Sequence, residues 1–144
     1  ARRSQGGGPE APLLLADTLG EMALWYQAAG ICVTGGSFVD HGGHTPWEPA
    51  AWRCAILHGP HVANQADAYQ ALAAEGASES VAEGGLPAAL TALAQDAGRQ
   101  HRMGAAARAL LLARAGDPAP LLARIRRLAT TGPDHDMMQG KEPR

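Results

Sequence analysis

One segment constrains the fold more than any other. A short apolar run, Ile31-Cys32-Val33, breaks at Thr34-Gly35-Gly36-Ser37, and a second glycine pair, Gly42-Gly43, leads through His44-Thr45-Pro46-Trp47-Glu48-Pro49 into what reads as a helix start. Strand, glycine turn, irregular loop and helix N-terminus in that order is how open α/β sheets commonly build phosphate and nucleotide sites. Bare amides at such a start attract anions, and glycine lets a ligand come close because no Cβ stands in the way. The spacing excludes two familiar alternatives. A dinucleotide fingerprint needs Gly-x-Gly-x-x-Gly opening directly into a helix, and a triphosphate-binding loop needs Gly-Lys-Ser/Thr at its end. Neither occurs. Without a lysine on the loop, charge is left to amides, a helix dipole and an imidazole, which suit a departing phosphate better than triphosphate hydrolysis. The plainer reading of the same glycines is a connection that only turns sharply.

Around this loop, apolar runs alternate with helical periodicity. Pro12-Leu13-Leu14-Leu15-Ala16 reads as a short buried strand, and a helix opens at Asp17 or Thr18 and runs to about Ala29 on the stripe Leu19, Met22, Ala23, Tyr26, Ala29. A strand over 31–34, a short helix from Pro46 to about Trp52 and a strand Ala55-Ile56-Leu57-His58, closed by Gly59-Pro60, follow. A helix from about Asn64 to Glu75 leads to a weak strand near 78–81. The rest is helical: 86–97, about 99–115, and 118 to about 129, with Gly116-Asp117-Pro118 as break and cap. The expected fold class is therefore α/β, a Rossmann-like parallel sheet flanked by helices. Residues 1–11 read as a flexible lead-in, 12–130 as the folded part and 131–144 as a flexible tail. Right-handed crossovers place ligand loops at the carboxyl ends of strands, so 17–21, 35–48 and 59–65 are expected along one edge.

At 144 residues the chain can bury a real core, and a net charge of −2 gives no global pull toward nucleic acid, so any anion site must be local. Aromatic residues are only 4%, with alanine, leucine and glycine dominant, which favours helices on a small sheet over a β-sandwich. No apolar run approaches the roughly twenty residues of a membrane span, and Ala1 to Pro9 lacks the apolar segment of a signal peptide. Cys32 and Cys54 lie in apolar runs and read as reduced, structural residues. His58, His61 and His101 have no metal-ligand spacing with acidic partners, so no zinc is assigned.

Asp17-Thr18-Leu19-Gly20-Glu21-Met22, the turn Gly35-Gly36-Ser37-Phe38, the stretch from Gly42 to Ala50 and the stretch from Ile56 to Asn64 together resemble the carboxyl-terminal half of 3-deoxy-D-manno-octulosonic acid (Kdo) transferases. These are glycosyltransferases of B-type fold that attach Kdo to the lipid A precursor from the sugar nucleotide CMP-Kdo. The likeness runs from about Leu13 to about Val81 and is looser in the later helices. It implies a partial donor-binding domain, truncated on its amino-terminal side. It also implies that the lipid A acceptor, the catalytic base and association with the cytoplasmic face of the inner membrane belong to an amino-terminal half, and that no cofactor is needed. On this reading no catalytic residue lies in the chain, which alone would be inactive. A catalytically silent nucleotide-binding or interaction module, or a fragment using another nucleotide sugar, are the alternatives.

In the resemblance the donor site falls on Gly35, Gly36, Ser37, Gly42, Gly43, His44, Thr45, Glu48, Glu21 and Asn64. The four glycines offer amides to the phosphate, Ser37 a hydroxyl, and His44 an N–H to phosphate or sugar carboxylate, or a bond that fixes the loop. Glu48 matches the glutamate that grips ribose hydroxyls, while Thr45-Pro46-Trp47-Glu48 is also a capping box. Thr18 to Glu21 carries the same ambiguity, and Asn64 can contact donor or cap the following helix. Two departures stand out: Thr45 where asparagine is usual, and Arg53 where glycine is common, a steric problem if φ there is positive. Arg124, Arg126 and Arg127 fit a membrane-facing patch or a solvated helix end.

Overall fold

The computed structural model describes residues 1–130. The expected tail, 131–144, lies outside the described residues. The chain divides into two compact units, 1–111 and 112–144.

The first unit is built on a parallel three-stranded sheet in the order β1 (Ile31–Val33), β2 (Ala55–His58), β3 (Ser78–Ser80). In register, Cys32 faces Ile56, and Leu57 faces Glu79. The central strand β2 is buried along its whole length, as a parallel strand covered on both faces must be. Its side chains alternate between two cores: Ile56 packs with Ala50, Tyr69, Leu72, Ala77 and Ala107, while Ala55 and Leu57 pack with Val81, Leu93 and Met103. Period two thus divides one strand between both faces.

Helices α1 (Met22–Ala28), α2 (Trp47–Ala51), α3 (Ala66–Ala74) and α4 (Leu86–Ala94) follow in chain order, and α5 (Ala97–Ala115) continues past the end of the unit. α5 supplies Met103 to one core and Ala107 to the other. Its first turn is capped by Asp96, whose Oδ1 accepts from the Arg99 amide at 2.8 Å, as an N-cap carboxylate does. Cys54 is buried and its thiol lies 3.3 and 3.4 Å from the Tyr26 and Ala29 carbonyls, tying the end of α1 to the start of β2. Burial is the main cause that raises both thiols, Cys32 to about 11.

Two expectations are corrected here. Pro12–Ala16 is not a strand of the sheet: Leu15 makes only an isolated bridge to Arg2, and Leu13 is 79% exposed. The amino terminus is hydrogen-bonded to this segment, with Ala1 N to Leu13 O at 2.8 Å and Arg3 N to Leu15 O at 2.9 Å. The apolar run thus pairs locally with the amino terminus. The helix expected from Asp17 begins at Met22. Thr18 Oγ1 donates to the Glu21 carboxylate instead of accepting from a backbone amide, so the side chains that would start the helix bind each other.

Arg53 has φ 62°, the left-handed region, and is the only described non-glycine residue with positive φ. That conformation costs an L-residue about 1–2 kcal/mol, against about 0.5–1 kcal/mol for glycine's extra unfolded entropy. Arg53→Gly is therefore expected to stabilise the fold by about 0.5–1 kcal/mol, seen as a higher urea midpoint at unchanged slope; a lower midpoint would show that the arginine side chain contributes more than its backbone costs.

In the second unit, Gly116 has φ 63° and Asp117 Oδ1 accepts from the Ala119 amide at 2.9 Å. This is the expected break and cap. α6 (Ala119–Thr130) exposes Leu121, Leu122 and Ile125 and carries Arg124, Arg126 and Arg127.

Candidate functional site

The two glycine bends are joined. Gly43 N donates to Gly36 O at 3.0 Å and His44 N to Gly35 O at 3.1 Å, and Gly36, Gly42 and Gly43 all have positive φ. That backbone needs glycine. The loop after β1 is further fastened to the loop after β2: His61 N donates to Ser37 O at 3.0 Å and Asn64 N to Gly42 O at 2.9 Å. Two of the three expected loops therefore meet at the carboxyl ends of adjacent parallel strands. The third, 17–21, does not follow a sheet strand and is held by Arg3 and Ser4 of the amino terminus. Its helix α1 meets the others through Tyr26, whose hydroxyl donates to Glu48 Oε2 at 3.4 Å.

Residue by residue, the arrangement separates unengaged backbone donors, of which Gly35 is exposed and Gly42 buried, from groups engaged within the loop. The amides of Gly35, Gly36 and Gly42 have no acceptor among the described residues, whereas the Gly43 amide is engaged by Gly36. Ser37 is fully buried; its hydroxyl donates to Thr34 O at 2.6 Å and accepts from Gly59 N at 2.9 Å. It locks the two loops and presents no surface to a ligand. Asn64 does not cap α3, whose cap position is Gln65. Its Nδ2 donates to the His41 carbonyl at 3.2 Å, and a β-carbon on Gly42 would overlap its amide. Asn64 is thus a latch for the second glycine bend.

The two capping boxes remain open. Thr45 Oγ1 accepts from Trp47 N at a long 3.4 Å and Glu48 reaches Tyr26 rather than the Thr45 amide, which leaves the Glu48 carboxylate exposed at the start of α2. Beside it lies a cavity of about 320 Å³ lined by Met22, Ala23, Tyr26, Glu48, Ala51 and Trp52. Burial above all, then Cys32 and Glu48, pushes the Tyr26 phenol up to about 12, so it remains a donor at neutral pH. Glu21 is differently placed: Arg3 Nη2 pairs with it at 2.8 Å. The Arg3 hydrogen bond first, and Thr18 next, hold its carboxyl down at about 2.

Beneath the loop lies a buried polar group that periodicity alone does not reveal. The Tyr69 hydroxyl is 2.9 Å from His44 O and 2.8 Å from Thr34 Oγ1, and its ring packs against His58 with centroids 4.3 Å apart and planes tilted by 45°. The His58 Nδ1–H donates to Gly59 O at 2.7 Å, and burial lowers the imidazole's pKa, against the smaller opposing effect of that hydrogen bond. Tyr69 reads in sequence as one more residue of the α3 apolar stripe. Only the fold shows that its hydroxyl carries the His44 turn. Among the described residues no group of three or more His, Cys, Asp or Glu side chains is placed to hold a metal ion.

No family model matches the chain. It is 43% identical over 121 residues to the 3-deoxy-D-manno-octulosonic acid transferase of Bordetella pertussis, a match covering 81% of this chain and 28% of that protein. The transferase of the same name from Haemophilus influenzae is 38% identical over 60 residues, 42% of this chain and 14% of that one. That of Aquifex aeolicus is 34% identical over 72 residues, 50% and 20% of the two lengths. Among solved structures, the C-terminal CMP-Kdo binding domain of WaaA from Acinetobacter baumannii superposes with TM-score 0.70 at 26% identity, covering 79% of this chain and 61% of that one. The chain thus spans less than a third of the transferase from Bordetella pertussis.

Proposed function

We propose, on the premise that this chain is a homologue of the 3-deoxy-D-manno-octulosonic acid (Kdo) transferases, that it forms the donor-binding portion of a glycosyltransferase and takes CMP-Kdo. The observation that carries this is the joined pair of glycine bends at the carboxyl ends of β1 and β2, with the amides of Gly35, Gly36 and Gly42 unengaged, in a chain that shares its fold with a CMP-Kdo binding domain. In Kdo transfer an acceptor hydroxyl attacks the anomeric carbon while cytidine monophosphate departs, and the phosphate gains charge in the transition state. Fixed amides aimed at that charge stabilise it without reorganising. His44 supplies a further N–H to the phosphate, and the exposed Glu48 carboxylate accepts from the ribose hydroxyls, a bidentate task suited to a carboxylate.

Not every proposed donor residue touches the donor on this reading. Ser37, Asn64 and Gly43 act by holding the loop, Thr45 by leading into α2, and Glu21 by its pair with Arg3. The lipid A precursor and the base that activates its hydroxyl are assigned to the amino-terminal half of the enzyme plan, and the whole enzyme to the cytoplasmic face of the inner membrane as a peripheral protein. Among the described residues no helix is long and apolar enough to cross a membrane.

Isothermal titration of the chain with CMP, UMP and CMP-Kdo tests the proposal. Binding of CMP and CMP-Kdo with at least tenfold preference over UMP is expected, and Glu48→Gln is expected to weaken CMP about tenfold, the cost of about 1.4 kcal/mol for a lost charge-assisted bond. A preference for UMP would remove the Kdo assignment. Absence of any nucleotide binding would favour a silent module.

A further inference from the structure

We propose that His41 reads the acid group of the donor sugar while His44 serves the phosphate beside it, an inference that rests on the donor-binding reading above. Both imidazoles are exposed, with ring centroids 6.4 Å apart and planes inclined by 53°. A β-carbon built on Gly36 would lie 3.3 Å from Cδ2 of each ring, and one on Gly35 would lie 3.8 Å from Nδ1 of His44. The two rings therefore converge on the backbone whose amides are unengaged. Neither ring nitrogen is hydrogen-bonded among the described residues, while the His41 backbone is fixed independently of its ring. Its carbonyl accepts from Asn64 Nδ2 at 3.2 Å, and its amide donates to Val39 O at 2.7 Å. A held backbone under an uncommitted ring is a binding arrangement, because little further order is lost when a ligand arrives.

The ligand class follows from counting donors. A nucleotide-linked 2-keto sugar acid presents two anions on one anomeric carbon, the phosphodiester and the carboxylate. A neutral imidazole offers a single N–H. One ring therefore satisfies one anion, and two rings converging on one glycine satisfy both, each through a charge-assisted bond to the anion. A nucleotide carrying a neutral sugar leaves His41 without an anionic partner, so the pair discriminates in favour of acidic sugars.

The test is titration of the wild-type chain, His41→Ala and His41→Lys with CMP and CMP-Kdo, with near-ultraviolet circular dichroism to check the fold. Wild type is expected to bind CMP-Kdo on the order of tenfold more tightly than CMP, the size of one charge-assisted bond. His41→Ala is expected to bring that ratio within about twofold of one with CMP affinity kept within about twofold, and His41→Lys, which restores a cationic donor, to recover most of the preference. An unchanged ratio in His41→Ala, or an equal loss for both ligands, overturns the role of His41 while leaving the donor-binding reading intact. If the wild-type chain binds neither ligand, the donor-binding reading falls and this inference with it.

Discussion

Gly59→Ala is expected to cost about 3 kcal/mol or more of stability and to weaken CMP binding at least tenfold. Gly59 closes β2, and a β-carbon there would overlap the Ser37 carbonyl oxygen and lie 2.9 Å from Phe38 Cα. Both obstacles are backbone, so no rotamer change relieves them. The loop after β1 has to move away, which breaks the bonds from Gly59 N to Ser37 Oγ and from His61 N to Ser37 O. Ser37 is fully buried, so its freed hydroxyl and carbonyl are left without replacements from solvent. The shift passes to Gly35 and Gly36, which lie directly before it. Urea unfolding gives the stability and calorimetry the affinity; a variant within about 0.5 kcal/mol of wild type, binding CMP normally, would show that the two loops are not locked together as described.

Gly104→Ala is expected to be as damaging to the fold, for a reason remote from the loops. Gly104 lies in α5, where a β-carbon would overlap the Arg53 carbonyl oxygen and lie 3.3 Å from Arg53 Cα. The helix would have to withdraw from the turn between α2 and β2. Its neighbours Met103 and Ala107 belong to the two cores on opposite faces of the sheet, so both cores loosen at once. Alanine's better helix propensity returns only about 1 kcal/mol, whereas overpacking against rigid backbone costs about 1–3 kcal/mol and two disturbed cores add to it. A fall of about 3 kcal/mol in unfolding free energy, with weakened near-ultraviolet dichroism, is expected. An unchanged or higher midpoint would mean that α5 does not approach Arg53 so closely.

Much of this architecture was legible in the residues. β1, β2 and β3 lie within one residue of the bounds that the sequence predicts, because short apolar or β-prone runs between turn signals have few other uses. The glycine bends are legible because paired glycines mark backbone that a side chain would hinder, and Arg53 stands out through the family likeness, as an arginine where glycine is common; it has φ 62°. The failures share a cause. Pro12–Ala16 was apolar enough for a buried strand, but burial depends on a neighbouring strand, and the neighbour available is the amino terminus. Thr18-x-x-Glu21 and Thr45-x-x-Glu48 each fit a capping box, yet their carboxylates found tertiary partners in Arg3 and Tyr26. A local pattern lists the bonds a side chain can make; the fold chooses among them. Within the candidate site, backbone roles were more readable than side-chain roles for this reason. Ser37 and Asn64 have the chemistry of ligand contacts, and only the path of the second loop shows which backbone groups they hold.

The two thiols have a practical consequence. The thiolate is the reactive form, and both cysteines have raised pKa values, with Cys54 shut inside the domain. Since the chain contains no other cysteine, a maleimide dye offered at neutral pH is expected to react slowly with the partly buried Cys32 and the buried Cys54 of the folded molecule. A single cysteine introduced on the outside, at the exposed Glu10 for instance, is expected to take the dye ahead of the native pair, so that fluorescence could follow nucleotide binding.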